Sequence, residues 1–323
     1  MLNLQRLIAT VYPKRRVAGH EVLAGGLINR NLKVHFAGDY PPVVLRVYRD
    51  GPTACAKEIA IHDLIHHDVP VAEIIHAETN GIDGSPAFAV LEYVEGPTFQ
   101  QLKRTNNLTA INQAAADVGA TLARIGHFQF PSKNQRTEST LVHNDFGNRN
   151  IMVREANGRW HVAAILDWEF AGSGSPLIDV GHFLRYERSE RPLREPHFSR
   201  AYVEHGGVLP DNWELLVKLI DLTDLAKCLD QPDLPPDVAA EVLELIRATL
   251  RNESLQFKPI GELGAEAEKA VGDKCRASCV DWYGNARPLF LRGRVFALPG
   301  YELVEGKLED GRLSELRRLN YAP

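Results

Sequence analysis

The stretch from Leu141 to Glu169 constrains this chain most. His143, Asp145 and Asn150 form an H-x-D-x-x-x-x-N run, and Asp167 follows in Ile165-Leu166-Asp167-Trp168-Glu169. Between them, Ile151-Met152-Val153 and Val162 to Leu166 are strand-like, and Ala156-Asn157-Gly158 supplies a tight turn. A hairpin returns its two ends to one place, so this one would set Asn150 and Asp167 side by side. Hard oxygen donors in that position suit Mg²⁺, and an ionised carboxylate beside them can accept or orient the proton of an attacking hydroxyl. Phosphoryl transfer needs both groups at once.

Singly, these residues have ordinary duties. Asp and Asn cap turns, Asp can end a strand, and a histidine can be a hydrogen-bonded core residue. A run with three specified residues arises by chance on the order of one time in a hundred in a chain of this kind. The hairpin and the aspartate at its exit are what lift the run above that level.

The surrounding pattern predicts an α+β chain. Leu32, Val34 and Phe36 alternate with polar neighbours, Gly38 to Pro42 forms a turn, and Val43 to Tyr48 resumes as a strand. Thr53 can cap a helix running to about His67, with Ile59, Leu64 and Ile65 on its buried stripe. Val69-Pro70-Val71 leads into a further strand, and the apolar run Ala87 to Tyr93 ends at Glu95-Gly96-Pro97, where we place a hinge. Beyond it the spacing is helical: Thr109 to Gly126, then Trp213 to Ile220, then Val238 to Ile246 behind the start signal Pro235-Pro236-Asp237. One β insertion, the 151–166 hairpin, interrupts the helices. The expected division is 1–94, 95–256 and 257–323.

A length of 323 residues fits two or three units. The net charge of −5 offers no general attraction to nucleic acid or to an anionic membrane, so neither partner is expected. Four cysteines, at 55, 228, 275 and 279, are too few and scattered for a disulfide scaffold. The Cys275/Cys279 pair lacks the further ligands that a structural zinc requires. The basic cluster Lys14-Arg15-Arg16 follows the first apolar residues, the reverse of a secretory signal, and no apolar run is long enough to span a membrane. A soluble, cytoplasmic protein is expected.

From about Val22 to Leu250 the motifs resemble the aminoglycoside phosphotransferase and choline kinase family, whose two-lobed fold is similar to that of protein kinases. The resemblance implies an N-terminal antiparallel sheet with one helix, a mainly helical second lobe, and ATP- and Mg²⁺-dependent transfer to a small-molecule hydroxyl. It makes Asp145 the catalytic base, Asn150 and Asp167 the Mg²⁺ ligands, and His143 a brace for the catalytic loop. Asp179, in Pro176-Leu177-Ile178-Asp179, becomes a supporting carboxylate beneath that loop. Leu23 to Asn29, with Gly25, Gly26 and Asn29, resembles the phosphate-covering loop. The Glu92 carbonyl and Val94 amide match the connector that binds adenine.

Two departures accompany the resemblance. The family's strand lysine, paired to the helix glutamate matched by Glu58, is Arg46 here, and the two side chains are not equivalent. The insertion that shapes the acceptor pocket is shortened to Pro131 to Thr140. The expected acceptor is an amino sugar, an amino alcohol or a related metabolite. A cationic acceptor would call on carboxylates among Glu187, Glu190, Glu204, Asp211, Glu214, Asp221 and Asp224, and a quaternary ammonium would call on an aromatic cage such as Tyr186, Tyr202 and Trp213. The alternative is a catalytically silent nucleotide-binding module. A protein kinase is disfavoured because D-W-E stands where D-F-G would and A-P-E is missing. Past residue 257 the resemblance ends. Pro288 to Leu298 reads as strand, Gly311 to Leu319 as helix, and Trp282, Tyr283, Phe290 and Phe296 argue for a packed appendage.

Overall fold

The computed structural model describes residues 4–23, 29–130, 140–187, 191–229, 234–250, 289–291, 294–297, 302–309 and 312–320. Contacts divide the chain into two compact units, Met1–Thr249 and Leu250–Pro323.

In the first unit, α1 (Leu4–Ala9) precedes a five-stranded antiparallel sheet of β1 (Val17–Val22), β2 (Arg30–Phe36), β3 (Val43–Val47), β4 (Ile74–Glu78) and β5 (Phe88–Glu92). The strands lie in the order β1-β2-β3-β5-β4, and α2 (Pro52–Ile65) joins β3 to β4. Alternation sorts the side chains. Leu32, Val34, Phe36, Leu45 and Val47 share one apolar cluster with Leu7 and Ile8 of α1. Arg46, between Leu45 and Val47, therefore projects from the opposite face.

Helix α2 departs from the sequence reading at its start and along its buried face. Gly51, not Thr53, is the N-cap, no side chain caps the helix, and Pro52 opens it. Proline suits the first turn because its missing N–H would be unpaired there anyway. The buried residues are Cys55, Glu58, Ile61 and Ile65, whereas Leu64 is 41% exposed. Ile65 is buried and Ile59 packs against core as expected, but hydrophobicity alone misplaces Leu64 and omits Glu58, a glutamate that has a buried cation to meet.

The chain leaves the sheet through Gly96, whose φ is +137°. A Cβ there would stand 2.5 Å from the Val153 carbonyl oxygen, so only glycine passes. Then follow α3 (Phe99–Arg104), α4 (Leu108–Ile125), β6 (Thr140–Val142), β7 (Ile151–Ala156), β8 (Arg159–Ile165), a 3-10 turn at Trp168–Phe170, β9 (Gly172–Gly174), α5 (Leu177–Leu184), α6 (His197–Glu204), α7 (Trp213–Leu229) and α8 (Pro236–Leu250). The expected helix from Thr109 to Gly126 is α4, capped by the Asn107 side chain accepting from the Ala110 amide at 3.1 Å. One β insertion was expected, but β6 and β9 form a second antiparallel pair beside the β7–β8 hairpin. Three-residue strands are too short to show a period.

The second unit is an antiparallel meander of β10 (Leu289–Leu291), β11 (Arg294–Ala297), β12 (Glu302–Glu309) and β13 (Arg312–Asn320). The helix expected at Gly311 to Leu319 is instead strand β13. Leu313, Leu316 and Leu319 mimic a helical period, but pairing with β12 satisfies the backbone while Leu316 and Leu319 stay exposed. Arg318 reaches Glu302 across the pair at 2.7 Å. Cys275, Cys279, Trp282 and Tyr283 lie outside the described residues. No described helix is long and apolar enough to cross a membrane.

Candidate active site

The hairpin does what its turn residues dictate. Asn157 and Gly158 both have positive φ, 53° and 74°, which matches the turn twist that two-residue hairpins require. Ile151 faces Ile165, and the Leu166 amide donates to the Asn150 carbonyl at 2.8 Å. Asn150 and Asp167 thus sit at adjoining strand ends.

The loop ahead of β7 is held from beneath. Asp179, in the first turn of α5, accepts the His143 and Asn144 amides at 2.7 and 2.9 Å. Burial pushes its carboxyl up to about 7 against the pull of those two donors. Asn144 adopts left-handed backbone, φ 63°, and donates its side-chain amide to the Phe170 carbonyl at 3.0 Å. His143 is fully buried between Trp168 and Phe146. Its Nδ1 accepts the Asp145 amide at 3.2 Å, so Nε2 carries the proton donated to the Leu166 carbonyl at 2.9 Å. Burial lowers its pKa to about 4, in keeping with that neutral form. His143 is a brace, with both ring nitrogens spent on backbone.

Asp145 Oδ2 accepts the Asn150 side-chain amide at 2.8 Å, and the same NH₂ group donates to the Asp145 carbonyl at 2.9 Å. Burial raises the Asp145 pKa, the Asn150 hydrogen bond opposes the rise, and the charge of Asp167 adds to it. With its NH₂ committed, Asn150 keeps its carbonyl oxygen as the group open to a cation. Asp167 stands just past β8 with φ 67°.

Across from this loop, Arg46 projects from β3 and meets three carboxylates. Its NH2 lies 2.6 Å from Asp167 Oδ1 and 3.3 Å from Glu169 Oε2, and its Nε lies 3.1 Å from Glu58 Oε2. The Glu58 contact is a charge pair without hydrogen-bond alignment. Burial alone would lower the Arg46 pKa, but Glu58 and Asp167 together lift it above its ordinary value. Burial raises Glu58 and pushes Glu169 up to about 7, with the neighbouring Asp167 charge adding in each case. Asn29 Nδ2 also donates to Glu169 Oε2, at 2.5 Å. Lys57, next to Glu58 on α2, donates to the Glu169 and Ala171 carbonyls at 2.6 and 3.0 Å.

Of the residues expected from sequence, His143, Asp145, Asn150, Asp167, Arg46, Glu58 and Asn29 form one connected set. Val94 lies apart from that set, in an apolar cluster with Met152, Ala164 and Leu166 beside the hairpin. Glu92 ends β5 and donates its amide to the Glu73 carbonyl at 2.9 Å. Gly25 and Gly26 lie outside the described residues, as does most of the shortened segment, 131–139. Sequence reasoning passed over Glu169 and Lys57. Glu169 could have been found from its place in D-W-E, but Lys57 carries no pattern of its own.

Several carboxylates considered for a cationic acceptor are already committed. Glu187 pairs with the buried Arg194 at 2.5 Å, Asp221 with Arg185 at 2.5 Å, and Asp224 with Lys227 at 2.8 Å. Tyr202 is core, stacked on Phe198. Glu190 lies outside the described residues.

A braced loop carboxylate, an adjoining Asn/Asp pair and a buried strand cation are brought together here on a protein-kinase-like α+β fold. The model of the phosphotransferase enzyme family (APH) matches residues 19–137 and 127–216, and the chain belongs to that family. No curated protein matches it. Among solved structures it is similar to the GDP complex of aminoglycoside 2'-phosphotransferase-IIIa, with TM-score 0.60 and 18% identity over 77% of this chain and 97% of that one. It is similar to the GDP and kanamycin complex of APH(2")-IIia, with TM-score 0.60 and 17% identity over 80% and 100%. It is also similar to a thermostable APH(4)-Ia mutant in complex with AMP-PNP and hygromycin B, with TM-score 0.52 and 18% identity over 78% and 98%.

Proposed function

We propose that this phosphotransferase moves the γ-phosphoryl group of ATP to a hydroxyl of a small molecule in the cytoplasm, with Asp145 as the catalytic base. The carrying observation is the junction at which Asn150 holds Asp145 while its own strand end adjoins Asp167. An ionised Asp145 beside the phosphates can accept or orient the acceptor proton, and its bond to Asn150 fixes the direction in which it points.

The donor set fits Mg²⁺. Asn150 retains a carbonyl oxygen, Asp167 has a second carboxylate oxygen beyond the one facing Arg46, and both are hard ligands. One guanidinium among Glu58, Asp167 and Glu169 also leaves carboxylate charge over for a cation to offset. Asn150 and Asp167 would hold the ion, which when bound offsets charge on the nucleotide phosphates. Val94, Met152, Ala164 and Leu166 supply an apolar wall suited to the adenine ring, with the Glu92 carbonyl and Val94 amide as its hydrogen-bonding edge, and Gly25 and Gly26 would cover the phosphates. The similar structures hold GDP or AMP-PNP, and two hold kanamycin or hygromycin B. Amino sugars and amino alcohols are therefore the first acceptors to test.

The test is a panel of hydroxylated acceptors with γ-labelled ATP and Mg²⁺. Label transfer that falls by about 10²–10⁴-fold in Asp145→Asn, with nucleotide affinity retained, is the expected result. Arg46 lying on Asp167 favours a second reading, a nucleotide-binding module without transfer. MgATP binding with no transfer to any acceptor would establish that reading in place of the first.

A further inference from the structure

Arg46 stands where the family resemblance calls for lysine, and the geometry around it shows what holds its guanidinium. A lysine–glutamate pair needs one cation and one carboxylate. Here the guanidinium is spread over three: Nε faces Glu58 on α2, and NH2 faces Asp167 and Glu169 on the segment after β8. An ammonium is one compact centre, whereas a guanidinium is a planar fork, and here its Nε edge faces Glu58 as a charge pair while NH2 alone serves both Asp167 and Glu169.

Glu169 is the carboxylate through which Arg46 is tied to a second donor. Its side chain is 7% exposed, and its Oε2 takes two donors, Arg46 NH2 and Asn29 Nδ2. Asn29 is the first described residue after the glycine segment and also accepts the Arg49 amide at 3.3 Å. Glu169 thereby ties the entry of β2, the middle of β3 and the Asp167 turn to one oxygen. Lys57 holds the backbone of that same turn through the Glu169 and Ala171 carbonyls, so the carboxylate is aimed from a fixed base. A buried carboxylate with this little exposure is costly unless its partners are in place.

We propose that Glu169 is a positioning residue matched to Arg46: it fixes the guanidinium across Asp167 and the nucleotide phosphates. The proposal rests on the phosphotransferase reading only for the ligand it names.

The test is a double-mutant cycle of Arg46→Lys, Glu169→Gln and both together, read by calorimetric affinity for MgATP and for adenosine and by the urea unfolding midpoint. Each single variant is expected to lose at least about tenfold in MgATP affinity while adenosine affinity is unchanged, because adenosine carries no phosphate for Arg46 to meet. The double variant is expected to lose little more than either single one, since removing one partner already undoes the pair. Losses that multiply in the double variant would overturn the proposal, and so would equal losses for MgATP and adenosine, which mark general damage. If Glu169→Gln does not fold, Glu169→Asp takes its place in the cycle, with the same outcomes. If the unaltered chain binds no MgATP, the phosphotransferase reading fails separately. The matched pair is then judged on the unfolding midpoints alone, where additive shifts overturn it and non-additive shifts support it.

Discussion

The loop that carries Asp145 is held by contacts to backbone. His143 spends both ring nitrogens on main-chain groups, and Asp179 spends both oxygens on main-chain amides. Replacing Asp179 by Asn would leave one of those amides facing an NH₂ group, so Asp179→Asn is expected to destabilise the fold by about 1–3 kcal/mol. Urea denaturation would measure this, and kcat should fall along with stability, because the loop that aims Asp145 loosens. The residues picked out here by spacing, His143, Asp145, Asn150 and Asp167, stand in a fixed pattern around a hairpin and were legible for that reason. Asp179 and Glu58 were legible only through the resemblance. Glu169 and Lys57 were not, because their partners lie more than a hundred positions away or on carbonyl oxygens that any residue provides.

Among the elements, close approach decides what can change. Gly119 of α4 faces α6, and a Cβ at that position would stand 2.3 Å from the Phe198 carbonyl oxygen. Gly119→Ala is expected to push the helices apart and cost roughly 1–3 kcal/mol, measured as a lower urea midpoint. A long periodic apolar run is a local signal, and the sequence reading recovers the ends of α4 to within a residue. It failed where non-local pairing prevails. Gly311 to Leu319 has a helix-like leucine spacing, yet its hydrogen bonds go to β12. The face of α2 was read only in part, because a buried Glu58 is stabilised by a cation from β3.

For the whole molecule, buried histidine makes the fold sensitive to acid. His182 on α5 lies 3.8 Å from Asp224, and burial with the Arg185 charge lowers its pKa to about 4. The unfolded chain takes up this proton near 6.5, whereas the folded chain resists it until about 4. Stability from this group is therefore fully present above pH 6.5 and is lost as pH falls toward 4, by up to about 3 kcal/mol. His182→Asn is expected to flatten that acid limb in urea titrations run from pH 7 to pH 4. The first unit should also stand by itself. Only 77–80% of this chain spans nearly all of its solved relatives, which fold without a counterpart to the remainder. A chain ending at residue 249 is expected to unfold in one cooperative transition, checked by calorimetry.

The hairpin that joins Asn150 to Asp167 also keeps its tip out of the way. Asn157 and Gly158 sit at the opposite end of β7 and β8, about 20 Å from the catalytic junction at the usual strand rise. A short epitope or dye-bearing peptide spliced between them would leave the working end untouched, which makes this turn a practical anchor for tethering or watching the enzyme while it turns over.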